Sequence, residues 1–188
     1  MMNIQYPFLK RLFFWPFLPQ LRVGVVNELT PALLREMGID HVLLDVDCTL
    51  KRYDSDQLES WVLPWLETLK STGVSVCLLS NGKGRRIGKI AEQHNLPYIA
   101  MALKPLPCGC WRAIRREKWD GRRTAIVGDQ IFADIMAGNL AGIKTILVTP
   151  IHPEIEPLFT RVKRPFEKII LKMIPTKNDT TTYFSNVE

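Results

Sequence analysis

No stretch of this chain supplies the roughly 20 consecutive apolar residues that a membrane-crossing helix requires, and no small-residue cleavage site marks a secretory leader. Cysteine is scarce. The four, at positions 48, 77, 108 and 110, do not make a disulfide framework in 188 residues, so a reducing compartment is expected. Cys108-Gly109-Cys110 has no suitably spaced histidine, and Cys48 and Cys77 fall in expected strands, so the cysteines are read as structural rather than as zinc ligands. Three histidines, at 41, 94 and 152, have no evident partners and receive no role. Internal repeats are absent, and only the polar tail 175–188 has the composition of a disordered segment.

What is present suits one domain with a well-buried core, since 46% of the residues are hydrophobic. The formal charge of +6 is unevenly placed: residues 23–158 hold 16 basic and 16 acidic groups. The excess lies at the ends, with three basic and no acidic groups in 1–22, and five basic and one acidic in 159–174. A neutral centre gives no reason to expect a nucleic-acid partner.

Strand and helix patterns alternate from residue 30 onward. Thr30-Pro31 supplies an N-cap and a first-turn proline for a short helix ending near Gly38. Strands are expected at 41–44, 74–79, 98–102, 124–127 and 145–148, separated by helices near 56–72, 84–94, 108–118 and 132–141. Pro64, in the middle of the 56–72 pattern, implies a kink. This order predicts an α/β fold, a doubly wound parallel sheet with right-handed crossovers, whose ligands gather at the carboxyl ends of the strands.

Those strand ends deliver, in chain order, Asp45 with Asp47, Ser80 with Asn81, Lys104, and Asp129 followed by Asp134. Alternation along a strand lets Asp45 and Asp47 share one face and converge on one cation or phosphate. A carboxylate is ionised at neutral pH and can accept a phosphoryl group, so Asp45 is the candidate nucleophile, and Asp47 is placed to move the proton. Asp45 and Asp129 are hard oxygen ligands suited to Mg²⁺. Ser80 and Lys104 offer a hydroxyl donor and a positive charge to the equatorial phosphoryl oxygens.

Asp45-Val46-Asp47-Cys48-Thr49-Leu50, Leu78-Leu79-Ser80-Asn81, Lys104-Pro105 and Gly128-Asp129-Gln130-Ile131-Phe132-Ala133-Asp134 together resemble the haloacid dehalogenase superfamily over about residues 30–150. The resemblance implies a Rossmann-like fold with Asp45 as nucleophile, Asp47 as acid/base with its carbonyl also on the metal, and Asp129 as a metal ligand. It also implies phosphate binding by Ser80, Asn81 and Lys104, and supporting roles for Thr49, in orienting Asp47, and for Asp134. Continued through Asn139-Leu140-Ala141-Gly142-Ile143-Lys144-Thr145, the match narrows to the IIIA-type YqeG group, which is similar to mitochondrial phosphatidylglycerophosphate phosphatases. The activity so implied is dephosphorylation of phosphatidylglycerophosphate to phosphatidylglycerol. Asn81-Gly82-Lys83 and Cys108-Gly109-Cys110 depart from the familiar pattern.

The short intervals after Leu50 and between Asn81 and Lys104 leave no room for a substantial cap domain, so a bulky headgroup could reach the site. Residues 1–29 read as an aromatic, basic segment suited to a membrane surface, 30–174 as the phosphatase domain, and Pro165 as the first-turn residue of a basic amphipathic helix bearing Phe166, Ile169, Ile170 and Met173. An anionic phospholipid substrate and a cytoplasmic, peripheral location on the inner face of a membrane are expected. The alternatives are a soluble phosphatase for a sugar or nucleotide phosphate, and a receiver-like signalling module in which Asp45 merely accepts phosphate.

Overall fold

Residues that alternate between two apolar layers build the centre of the molecule. The computed structural model describes residues 14–155 and 158–172, and the expectations for residues 1–13, Met173 and the tail 175–188 fall outside them. Six parallel strands, β1 (Leu21–Arg22), β2 (His41–Leu44), β3 (Ser75–Leu79), β4 (Tyr98–Ile99), β5 (Thr124–Gly128) and β6 (Lys144–Leu147), form one sheet in the order β1-β6-β5-β2-β3-β4.

Val42 and Leu44 of β2, Val76 and Leu78 of β3, and Ala125 and Val127 of β5 enter one core layer, while Leu43, Cys77, Leu79 and Ile126 enter the other. The first layer is covered by α1 (Pro31–Glu36), α2 (Val62–Ser71) and α3 (Gly84–Gln93). The second is covered by α4 (Cys108–Glu117) and α5 (Met136–Ala141). A sheet buried on both faces explains why its strands carry so few polar residues. Each fully buried aliphatic side chain contributes about 1.5–3 kcal/mol relative to exposure.

The helices begin and end where local chemistry dictates, with three corrections to the expected pattern. Thr30 caps α1 as expected, its hydroxyl accepting the Leu33 N–H at 3.2 Å. The 56–72 pattern is a helix only from Val62, so Pro64 lies in the first turn, where its missing N–H breaks no bond and no kink follows. The pattern near 132–141 divides into a wide π-type turn, Ile131–Ile135, and α5. Pro165 is interior to the last helix, α6 (Leu158–Leu171), rather than at its start. Cys48 sits in a loop and not in a strand.

The fold also starts earlier than the expected boundary at residue 30. β1 extends the sheet beside β6, and Leu18, Leu21, Val23, Val26 and Leu29 are buried. Asn139 of α5 donates to the carbonyls of Trp15, Pro16 and Leu18 at 3.0–3.1 Å, and Phe17 meets Phe132 edge-on at 5.2 Å. No domain is inserted between Leu50 and α2 or between Asn81 and Lys104.

Two measurements test this packing. A Cβ on Gly138 would lie 2.2 Å from Ile126 Cγ2 and 2.6 Å from Thr145 Cγ2, both on stiff β-branched side chains of inner strands. Gly138→Ala is therefore expected to cost about 1–3 kcal/mol in urea unfolding by overpacking. Burial pushes the Cys77 and Cys110 thiols up to about 12, and Cys48 is also buried. With the thiolate as the reactive species, a disulfide reagent at pH 8 should titrate one thiol per native chain, that of Cys108, and all four in denaturant.

Candidate active site

β2 and β5 are neighbours from which the chain runs on to opposite edges of the sheet, so a crevice opens at their carboxyl ends. Leu44 pairs with Val127 and Leu78, and Asp45 donates its N–H to the Val127 carbonyl at 2.9 Å. That register sets Asp45 level with Leu79 and Gly128, so Ser80 and Asp129 follow one residue further along on the neighbouring strands. One carboxylate oxygen from each of Asp45, Asp129 and Asp134 lies within 4.8 Å of the others, and all three residues are buried.

Lys104 joins this group from the loop after β4. Its Nζ donates to Asp45 Oδ1 and Asp134 Oδ1, each at 2.5 Å, and to the Leu79 carbonyl at 2.9 Å. All three donors of the buried ammonium are thus used. The bonds to Asp134 follow from Gly128, because a Cβ there would lie 2.3 Å from Asp134 Cγ. The second Asp134 oxygen accepts the Gln130 N–H at 3.1 Å, closing the turn that follows β5.

The charges in this buried group do not balance. Three carboxylates face one ammonium. Burial accordingly pushes the Asp45 carboxyl up to about 7, with Lys104 pulling it down and Asp134 and Asp47 adding to the rise. For Lys104, burial works against the charge, but Asp134 and Asp45 outweigh it and its proton is held more tightly than usual. A hard divalent cation between Asp45 and Asp129 would supply the missing positive charge with oxygen ligands of the preferred kind, so the donor set fits one.

Asp47 does not converge on the same cation as Asp45, contrary to the expectation from strand alternation. The strand ends at Leu44, and the backbone turns at Cys48, whose φ is 64°. Asp47 Oδ1 lies 2.6 Å from Lys51 Nζ, and Asp47 Oδ2 lies 2.5 Å from Arg86 Nη2. Lys51 has no exposed surface, and its Nζ also donates to the carbonyls of Arg52 and Ser55 at 2.9 and 2.6 Å. A buried ammonium satisfied by one carboxylate and two carbonyls pins the Asp47 loop. Sequence reasoning missed both Lys51 and the pairing of Arg86 with Asp47. The available signal was a lysine directly following the Asp45–Leu50 motif.

Two further residues act differently from expectation. The Asn81 side-chain amide is engaged by backbone: it donates to the Lys104 carbonyl at 2.9 Å and accepts the Lys104 N–H at 2.8 Å. It clamps the backbone that presents Lys104. Thr49 Oγ1 is directed to Asp129 Oδ1, at a long 3.5 Å, rather than to Asp47. Ser80 Oγ accepts the Gly82 N–H at 3.0 Å, a bond that leaves its own proton available to a phosphoryl oxygen.

Comparison with known proteins finds a relative over most of the chain. The family model described as HAD-hydrolase-like matches residues 102–150. The chain is 31% identical over 161 residues to the probable phosphatase YqeG of Bacillus subtilis (strain 168), a match that covers 86% of this chain and 93% of that protein. Among solved structures, the hypothetical protein XCC2798 from Xanthomonas campestris shares the fold, with a TM-score of 0.50 at 15% identity over 71% of this chain and 77% of that one. The magnesium-bound putative HAD-hydrolase YfnB from Bacillus subtilis superposes more loosely, with a TM-score of 0.45 at 23% identity over 55% of this chain and 51% of that one.

The Asn81 clamp makes a separable prediction. Losing two hydrogen bonds in Asn81→Ala should cost about 1–3 kcal/mol in chemical denaturation and lower kcat for a phosphomonoester through a misplaced Lys104. A raised KM with unchanged stability would instead assign Asn81 to the phosphate.

Proposed function

We propose, because this chain belongs to the haloacid dehalogenase-like hydrolases and within them to the YqeG group, that it is a Mg²⁺-dependent phosphatase that converts phosphatidylglycerophosphate to phosphatidylglycerol. Phosphatase chemistry rests on the family and on the acidic cluster; the lipid substrate is the finer step. The observation that carries the chemistry is the Lys104 ammonium held at 2.5 Å from both Asp45 and Asp134, with Asp129 beside them.

Asp45 Oδ attacks phosphorus in line, forming an aspartyl-phosphate as the bond to the glycerol oxygen breaks. Asp47 protonates that oxygen, then takes a proton from the water that cleaves the acyl-phosphate, regenerating Asp45 and releasing inorganic phosphate. Lys104 and the Ser80 hydroxyl stabilise the charge on the equatorial oxygens. Asp45, Asp129 and the Asp47 carbonyl would hold Mg²⁺, whose contribution is to neutralise the phosphoryl oxygens and the nucleophile during the transfer. An acid/base two residues beyond the acceptor favours turnover over the receiver-like alternative, which requires the phosphorylated state to persist.

Support for a lipid comes from the surface. No cap among the described residues covers the site, and α6 turns Val162, Phe166 and Ile169 outward at helical spacing, beside Lys163 and Lys172, while Ile170 packs inward against Ile131, Ile135 and Leu147. No helix among the described residues is long and apolar enough to cross a membrane. Peripheral attachment at the inner, cytoplasmic face of a membrane is the corresponding mode of access.

Phosphate release with Mg²⁺ should be faster from phosphatidylglycerophosphate vesicles than from soluble sugar or nucleotide phosphates. It should cease with a chelator and fall more than about 10³-fold in Asp45→Asn. Equal or better turnover of the soluble esters would refute the lipid substrate.

A further inference from the structure

The chain's cations are not spread evenly over its neutral centre. Residues 81–116 carry eight Lys or Arg and one acidic residue, Glu92, whereas the rest of 23–158 carries eight basic and fifteen acidic residues. In the fold, 81–116 comprise the loop after β3, α3, β4 and nearly all of α4, so the positive charge gathers along the β4 edge of the sheet. β1 occupies the opposite edge.

An apolar rim interrupts that basic edge beside the crevice. Met101, Leu103 and Leu106 are 60%, 55% and 55% exposed, and they flank Lys104, whose ammonium reaches Asp45. Met101 and Leu103 have φ of 47° and 60°, left-handed values that large side chains rarely adopt. Strain that holds two apolar side chains in water has no packing benefit to offset it, and such strain gathers where a surface is used. The loop is nevertheless anchored: Met101 donates its N–H to the Gly82 carbonyl at 3.2 Å, and Arg112 Nη2 donates to the Ala100 carbonyl at 3.0 Å. These contacts set exposed Lys83, Arg85 and Arg112 around the apolar rim.

From this juxtaposition we infer that the Met101–Leu106 loop, ringed by Lys83, Arg85 and Arg112, is the surface by which the protein docks on an anionic bilayer. Apolar side chains that enter the interfacial layer, surrounded by cations that meet lipid phosphates, match both components of such a surface. A protein partner would have to be strongly acidic around an apolar centre to fit equally. Docking here brings Lys104 and Asp45 to headgroup depth, because the inserted residues and the phosphate-binding lysine are neighbours in the chain. The inference rests on the lipid-phosphatase reading for its purpose, although the docking is measurable without any substrate.

The test is co-sedimentation of the full chain with vesicles of phosphatidylcholine alone or mixed with phosphatidylglycerol, with p-nitrophenyl phosphate turnover in solution as the check that each variant is folded. Binding is expected to require the anionic lipid and to fall roughly tenfold or more in Met101→Ser/Leu103→Ser/Leu106→Ser and in Lys83→Glu/Arg85→Glu, with p-nitrophenyl phosphate turnover unchanged. Wild-type binding by both variants, or no binding by the wild type, overturns the inference. So does a loop variant that changes its mass in light scattering while still binding vesicles, since the rim would then join copies of the chain. If binding follows the expectation but phosphatidylglycerophosphate is not hydrolysed, the docking surface stands and the substrate reading falls. If the loop variant hydrolyses that lipid in vesicles as fast as the wild type, the docking surface falls and the substrate reading stands.

Discussion

A buried ammonium shared by two buried carboxylates is the constraint around which this end of the sheet is organised. Lys104 cannot be left without partners in a water-excluded crevice, nor can Asp45 and Asp134 face each other without it. Meeting both demands fixes several features at once. Gly128 must lack a side chain so that Asp134 can approach, Asn81 must hold the backbone that presents Lys104, and Leu79 must leave its carbonyl free to accept the third proton. The arrangement still leaves more negative than positive charge, which adds to the upward push that burial gives Asp45 and makes the pocket suit a divalent cation.

Asp47 adds to the rise at Asp45 but is paired elsewhere. Two carboxylates only two residues apart would ordinarily compete for the same counter-charge, and one would be driven to neutrality. Lys104 pairs with Asp45, whereas Lys51 and Arg86 give Asp47 cations of its own. Asp45 and Asp47, the proposed nucleophile and proton carrier, therefore sit in different electrostatic surroundings despite their adjacency. Lys51 is fixed by backbone carbonyls as well as by the acid, whereas Arg86 is partly exposed, so the two cations differ in how readily they can leave.

The layered architecture and the residues at the strand ends were legible because both depend on patterns that survive in one dimension: apolar runs, and polar groups at their ends. What could not be read depended on the third dimension. Lys51 looks like a solvated lysine until the turn buries it against two carbonyls, and Asn81 resembles a phosphate ligand until the loop bearing Lys104 folds back onto it. Pro64 suggested a kink because the amphipathic pattern runs several residues ahead of the actual helix, and Pro165 suggested a helix start that lies further upstream. β1 has two residues and no periodicity, so its place beside β6 follows from tertiary pairing alone.

Charge totals misled in a similar way. A centre with equal numbers of basic and acidic residues suggested that the cationic character belonged to the two ends, but equality along the chain conceals segregation in space. A parallel sheet exposes two edges, and short edge strands flanked by charged helices are one way to prevent further strands from adding there. β4 is such a strand, two residues long between α3 and α4. The cations that guard this edge also lie on the side of the crevice from which Lys104 enters. Protection of an edge needs charge of either sign and gains nothing from exposed Met101, Leu103 and Leu106. The combination of one sign with an apolar rim is therefore what solubility alone does not explain, and what an anionic interface would.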